Sequence, residues 1–206
     1  MPTRIAVLAS GSGSNLQALL GAADLGGEIV LVASDRHDAG ALERAAAAGV
    51  ETALVAFGDY RDRAAWDAAL RERVAAARPD LVVLAGFMRI LSADWPRAWP
   101  MLNTHPSLLP AFPGARAVEA SLAHGVKVTG ATVHFVVEEV DAGPIVAQEA
   151  VTVRPDDDAA TLHERIKAVE HRLLPEAVRL FCAGRLELEG RHVRVRGAAP
   201  SHGARH

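Results

Sequence analysis

Residues 5–20, Ile-Ala-Val-Leu-Ala-Ser-Gly-Ser-Gly-Ser-Asn-Leu-Gln-Ala-Leu-Leu, decide the fold. Ile5 to Ala9 is an unbroken apolar run, as a strand buried on both faces of a parallel sheet requires. Leu16, Ala18, Leu19 and Leu20 then recur at helical spacing. Strand, glycine loop and helix in succession bring backbone N–H groups and the positive end of a helix dipole to one point, an anion site whose guest is a phosphate. An unliganded β–α connection is the plainer reading of the same residues. Gly11 and Gly13 begin a dinucleotide fingerprint, and Asp35 lies about twenty residues on, but Leu16 stands where its third glycine belongs. No Gly-Lys-Ser/Thr follows, which excludes the nucleotide phosphate-loop motif.

Outward from this unit, strands are predicted over Ile29–Ala33, Thr52–Val55, Leu81–Ala85 and Met101–Asn103. Helices are predicted over Ala41–Ala48, stopped by Gly49, and over Asp62–Arg78, with Trp66, Leu70 and Val74 on one stripe and Pro79 just past the end. Such alternation gives an α/β fold with a Rossmann-like, mostly parallel sheet in the N-terminal half. A helix over Ala117–His124 ends at Gly125, and partly alternating strands over Val128–Val137 and Ile145–Val153 make the second half mixed and partly antiparallel. Thr161 and Glu164 suggest a capping box for a long helix through Ala183. Leu186–Val195 reads as a small hairpin or strand, and the tail after Gly197 as disordered. The expected organisation is one three-layer domain over 1–189, with a phosphate-binding half to about residue 100 and a catalytic half from 101. Residues 190–206 would be a terminal strand and tail.

Composition narrows the function. Half of the 206 residues are apolar, aromatics are 4%, and the net charge of −3 offers no general basic surface for nucleic acid. Cys182 is the only cysteine, so neither an internal disulfide nor a cysteine-rich metal site can form. His163 and His171 are eight apart and the other histidines scattered, so no metal ligand set is expected. The N-terminal apolar run is too short for a signal peptide, and no stretch approaches the roughly 18 apolar residues of a membrane span. A cytoplasmic protein is the expectation.

The chemistry concentrates in 103–114, Asn-Thr-His-Pro-Ser-Leu-Leu-Pro-Ala-Phe-Pro-Gly, and 140–144, Val-Asp-Ala-Gly-Pro. In an extended backbone Asn103 and His105 point the same way, an amide donor beside a titratable imidazole. Pro106, Pro110 and Pro113 stiffen the exit. Pre-organised donors of this kind stabilise a developing negative charge. Asp141 arrives at a tight turn before Gly-Pro as the second candidate acid–base group. Gly86 turns the chain into Phe-Met-Arg-Ile-Leu at 87–91, an apolar segment at the carboxyl end of a strand, which suits a flat ring or plain core packing. Arg61 and Arg63 begin a helix where a cation opposes the dipole, so a ligand is a reason for either.

Four motifs, at 11–18, 84–91, 103–110 and 140–145, stand in an order and spacing that resembles the folate-dependent phosphoribosylglycinamide formyltransferases from residue 4 to about 189. The resemblance implies the formyltransferase fold and formyl transfer from 10-formyltetrahydrofolate, as co-substrate, to the amine of 5′-phosphoribosylglycinamide. It implies Asn103, His105 and Asp141 as the catalytic trio. It places the substrate phosphate on Gly13, Ser14 and Asn15, and the ribose hydroxyls near Glu170 with Lys167 close by. The folate falls to Arg63, Met88, Arg89, Ile90, Leu91, Val137 and Val140, together with Asn103 and Asp141. It implies no metal and is compatible with a homodimer.

Arg116 stands where many members carry a histidine, which leaves a second histidine beside Asp141 unassigned, and Ala111 replaces a lysine or other polar residue. From the proline-rich loop and the resemblance, the Leu109–Pro110 peptide is expected to be cis. Formyltetrahydrofolate deformylase, which gives the formyl group to water, is the nearest rival. Its members usually add an N-terminal domain and read His-His where this chain has Thr104–His105. Methionyl-tRNA formyltransferase adds a C-terminal domain for which this chain shows no residues. A non-catalytic phosphate sensor would need the first loop and not the trio.

Overall fold

Ile5 and Val7 point into one hydrophobic core while Ala6 and Leu8 point into another, so the first strand is buried on both faces. A computed structural model describes residues 1–197, and the tail expected to be disordered lies outside the described residues. Around β1 (Thr3–Leu8) the strands β2 (Gly27–Ser34), β3 (Thr52–Leu54), β4 (Leu81–Leu84) and β5 (Met101–His105) pair in parallel, in the order β3-β2-β1-β4-β5. The chain therefore grows outward on one side of β1 as β2 and β3 and on the other as β4 and β5. The loops after β1 and β4 leave in opposite directions and open a crevice at the carboxyl edge, where open α/β sheets take their ligands.

Three layers follow from which faces are apolar. Helices α1 (Ser14–Leu20), α2 (Gly40–Ala47) and α6 (Ala159–Cys182) cover one face through Leu16, Leu19, Ala41, Ala45, Leu174 and Val178. Helices α3 (Arg63–Ala76) and α4 (Asp94–Ala98) cover the other through Trp66, Leu70, Val74 and Trp95. Each fully buried aliphatic side chain here contributes about 1.5–3 kcal/mol. Helix α5 (Ala117–His124) sets Val118 against Leu162 and Ile166 of α6.

The second half is mixed, as expected. β6 (Val128–Phe135) runs antiparallel to β5 and to β7 (Ile145–Thr152), while the hairpin β8 (Leu186–Glu189) and β9 (His192–Val195) joins the same sheet beside β7. The α6 cap corrects the expectation. Asp158 accepts the Thr161 N–H at 2.7 Å and its own N–H goes to Thr161 Oγ1 at 3.0 Å, so the box forms one turn before the Thr161–Glu164 pair. Asp62, expected inside α3, is its cap and accepts the Ala65 N–H at 2.8 Å. Helix α4 was not anticipated, because five residues are too few to show a period. Among the described residues no helix is long and apolar enough to cross a membrane.

Candidate active site

β5 carries Asn103 and His105 to the carboxyl edge, with the intervening Thr104 turned to a different partner. His105 is buried, and its Nε2 lies 2.8 Å from the Phe112 carbonyl. A carbonyl only accepts, so Nε2 carries the proton and Nδ1 faces Asp141 Oδ2 at 3.4 Å. Sequence reading makes His105 a titratable imidazole beside Asn103. Here one nitrogen holds the loop and the other looks at the carboxylate.

That loop is tied at several points. Leu109–Pro110 is cis. Thr132 Oγ1 donates to the Ser107 carbonyl at 2.7 Å and accepts the Leu109 N–H at 3.1 Å, and Gln148 Nε2 donates to the Leu109 carbonyl at 2.8 Å.

Asp141 takes the left-handed conformation, φ 54°, which Asp tolerates better than most residues. The chain then presses on β6: a Cβ on Gly143 would fall 1.7 Å from the Phe135 carbonyl oxygen. Asp141 Oδ2 accepts the Gly114 N–H at 2.7 Å, and Oδ1 accepts from Asn103 Nδ2 at 3.5 Å. Burial works to raise this carboxyl. The adjacent His134 ring, the Gly114 N–H and the nearby His105 ring outweigh it and hold the group below the usual carboxylate range.

His134 is the residue that sequence reading missed. The β5–β6 register sets it directly opposite Asn103. Its Nδ1 lies 2.9 Å from the Phe135 carbonyl, so the neutral ring carries its proton there. Its Nε2 then accepts from Asn103 Nδ2 at 3.1 Å and stands 3.6 Å from Asp141 Oδ1. A second histidine does stand beside Asp141, supplied by β6 rather than by the segment after Pro113-Gly114. Arg116, in that segment, has φ 59° at the N-cap of α5. The alternation of Val128, Gly130, Thr132 and His134 puts the ring on one face of a strand but does not say which residue it meets.

One cavity of about 700 Å³ joins these groups to the other expected residues. Its lining includes Gly13, Ser14, Asn15, Met88, Arg89, Ile90, Leu91, Asn103, His105, Val137, Val140, Asp141, Lys167 and Glu170. Arg63 alone of the expected residues does not line it, and instead donates to the Ile90 carbonyl.

At one end, the N–H groups of Ser12, Gly13 and Ser14 have no acceptor among the described residues. Glu170 is buried beneath them, accepting from Asn15 Nδ2 at 3.2 Å and Thr104 Oγ1 at 3.1 Å. Burial pushes its carboxyl up against the effect of those two bonds. Asn15 Oδ1 is buried with no partner among the described residues, a free acceptor at the same end. Half-buried Lys167 pairs with Glu164 at 2.7 Å.

At the other end Met88 is 75% exposed and Ile90 59%, an apolar mouth completed by Val137 and Val140. The Met88 N–H is taken by Ser10 Oγ at 2.8 Å, which leaves the N–H groups of Arg89, Ile90 and Leu91 without a partner among the described residues. Arg89 Nε donates to Asp35 Oδ2 at 2.8 Å, and its guanidinium lies 4.2 Å from the centre of the Phe57 ring. Asp35 is thus buried in an ion pair and cannot meet a cofactor ribose, which removes the dinucleotide reading.

Residues 3–178 match the formyl transferase family. The chain superposes on glycinamide ribonucleotide transformylase 1 from Symbiobacterium toebii with a TM-score of 0.90 and 52% identity, covering 94% of each chain. It is 50% identical over 194 residues to a phosphoribosylglycinamide formyltransferase of Mycobacterium tuberculosis, covering 92% of this chain and 90% of that one. It is 47% identical over 190 residues to the trifunctional purine biosynthetic protein adenosine-3 of Bos taurus, of whose length it spans 19%. A family match across most of the sheet, with the Asn103, His105 and Asp141 cluster inside it, shows that the chain belongs to the formyl transferase family.

Proposed function

We propose that this protein transfers the formyl group of 10-formyltetrahydrofolate to the terminal amine of 5′-phosphoribosylglycinamide, giving formylglycinamide ribonucleotide and tetrahydrofolate. The observation that carries the reading is the position of Asn103, His105 and Asp141 in one cavity, between an end lined by free N–H groups and an apolar mouth. The first end suits a phosphate and the second a pterin ring.

The neutral amine attacks the formyl carbon, forming the new C–N bond and a tetrahedral oxyanion. Asn103 Nδ2, giving up its long 3.5 Å bond to Asp141 Oδ1, is the donor placed to stabilise that oxygen. Asp141, held ionised, takes up the amine proton directly or through His105 Nδ1, and the proton passes to N10 of the folate as the C–N10 bond breaks. Phe112 fixes which His105 nitrogen faces the carboxylate. Glu170 and Asn15 offer acceptors for ribose hydroxyls. Arg89 and the N–H groups of Arg89 to Leu91 face the folate, and Arg63 supports that segment from behind through Ile90.

Transfer to water, the deformylase reaction, would leave the N–H-lined end without a role, and the relatives named above also speak against it. Purified protein with a 10-formylfolate donor should release tetrahydrofolate only when phosphoribosylglycinamide is present. Equal release in its absence would refute the transferase reading.

A further inference from the structure

Three successive carbonyls of the glycine loop are taken by donors outside the cavity. Gly11 O accepts the Ala41 N–H at 3.2 Å, Ser12 O accepts Arg44 Nε at 2.9 Å, and Gly13 O accepts the Gln17 N–H at 2.8 Å. In a planar trans peptide the N–H points opposite to the C=O. Holding these carbonyls outward therefore turns the Ser12, Gly13 and Ser14 N–H groups the other way.

Two of the three donors belong to α2. The start of that helix also shapes the loop: a Cβ on Gly13, whose φ is 75°, would fall 2.6 Å from Ala41 Cα. Of the three peptides, Ser12–Gly13 is the one held by a side chain rather than by backbone. Its second residue is Gly13, whose φ tolerates either sign, so the peptide has little intrinsic preference against flipping. A flip would aim a carbonyl where the N–H now points. Arg44 resists it with a rigid fork, since its second nitrogen, Nη1, also reaches Gln17 Oε1 on α1 at 2.9 Å.

We infer that Arg44, which does not line the substrate cavity, is a positioning residue for the phosphate end of the substrate: it pins the Ser12–Gly13 peptide so that its N–H faces the anion. The inference rests on the proposed assignment of the substrate phosphate to this loop.

The test is Arg44→Ala, with Arg44→Met as a second variant that keeps the stem and removes the donors. Phosphoribosylglycinamide, its dephosphorylated riboside and the formyl donor are titrated separately. The KM for phosphoribosylglycinamide should rise about fivefold, equivalent to roughly 1 kcal/mol, with kcat and the donor KM unchanged within about twofold. Inhibition by inorganic phosphate should weaken by the same factor, while kcat/KM for the riboside should match wild type. An unchanged KM, or equal losses on substrate and riboside, would overturn the inference. Wild-type enzyme that does not distinguish the two substrates would instead sink the phosphate assignment.

Discussion

Asp141→Asn keeps the shape of the side chain and removes its charge. The carboxylate now presents Oδ2 to the Gly114 N–H at 2.7 Å and His105 Nδ1 at 3.4 Å, and Oδ1 to Asn103 Nδ2 at 3.5 Å and His134 Nε2 at 3.6 Å. An amide has one acceptor oxygen. With that oxygen on Gly114, its NH₂ meets the Asn103 amide donor; turned over, it meets the Gly114 N–H. In either orientation the proton acceptor is gone. A positioned acid–base group contributes about 10²–10⁴-fold, so kcat should fall by that factor while the KM for phosphoribosylglycinamide stays within about threefold. Stability supplies an independent readout. The folded carboxyl titrates below its unfolded value of roughly 3.9, so its contribution is present above that pH and is lost as pH falls through the folded value. The stability gap between wild type and variant should be flat through neutrality and close only below about pH 4. Thermal melts across pH and steady-state transfer assays measure both effects. A variant within about threefold of wild-type kcat, or a gap that closes between about pH 5 and 7, would refute the assigned role.

Three further perturbations separate the parts of the cavity. His134→Ala leaves the Asn103 amide without its acceptor, and kcat should fall about tenfold, less than for Asp141→Asn, with substrate KM values little changed in the same assay. Glu170→Gln removes a buried carboxyl whose folded value is raised, a group that costs stability as pH climbs through it; the melting temperature of the variant relative to wild type should be higher at pH 8 than at pH 5, while the KM for phosphoribosylglycinamide rises. Arg89→Ala leaves Asp35 buried and unpaired, so urea denaturation should show a loss of about 1–2 kcal/mol, less than for a fully buried pair because Arg89 is 38% exposed; the formyl-donor KM should rise about tenfold and the other KM should not move.

The fold was legible wherever a pattern is local. Ile5 to Ala9 announced a two-faced strand, Gly49 and Gly125 marked helix ends, and Trp66, Leu70 and Val74 marked the buried stripe of α3. Asn103, His105 and Asp141 were legible from residue type and turn chemistry, and the structure brings them together. What escaped depends on distance in the chain. His134 meets Asn103 through the register of β6 on β5, which no local pattern specifies. The Arg63 guanidinium goes to the Ile90 backbone carbonyl 27 residues away, a partner that its position at the start of α3 does not specify. The orientation of His105 is decided by the Phe112 carbonyl, which reaches it only because the proline-rich loop folds back.

The central claim is a destination for one carbon atom. Donor labelled with carbon-13 in its formyl group, incubated with the protein and phosphoribosylglycinamide and followed by NMR, should transfer the label to the glycinamide nitrogen, with the amide formyl signal growing as tetrahydrofolate forms. Label collecting as free formate while the glycinamide amine stays unmodified would contradict the account.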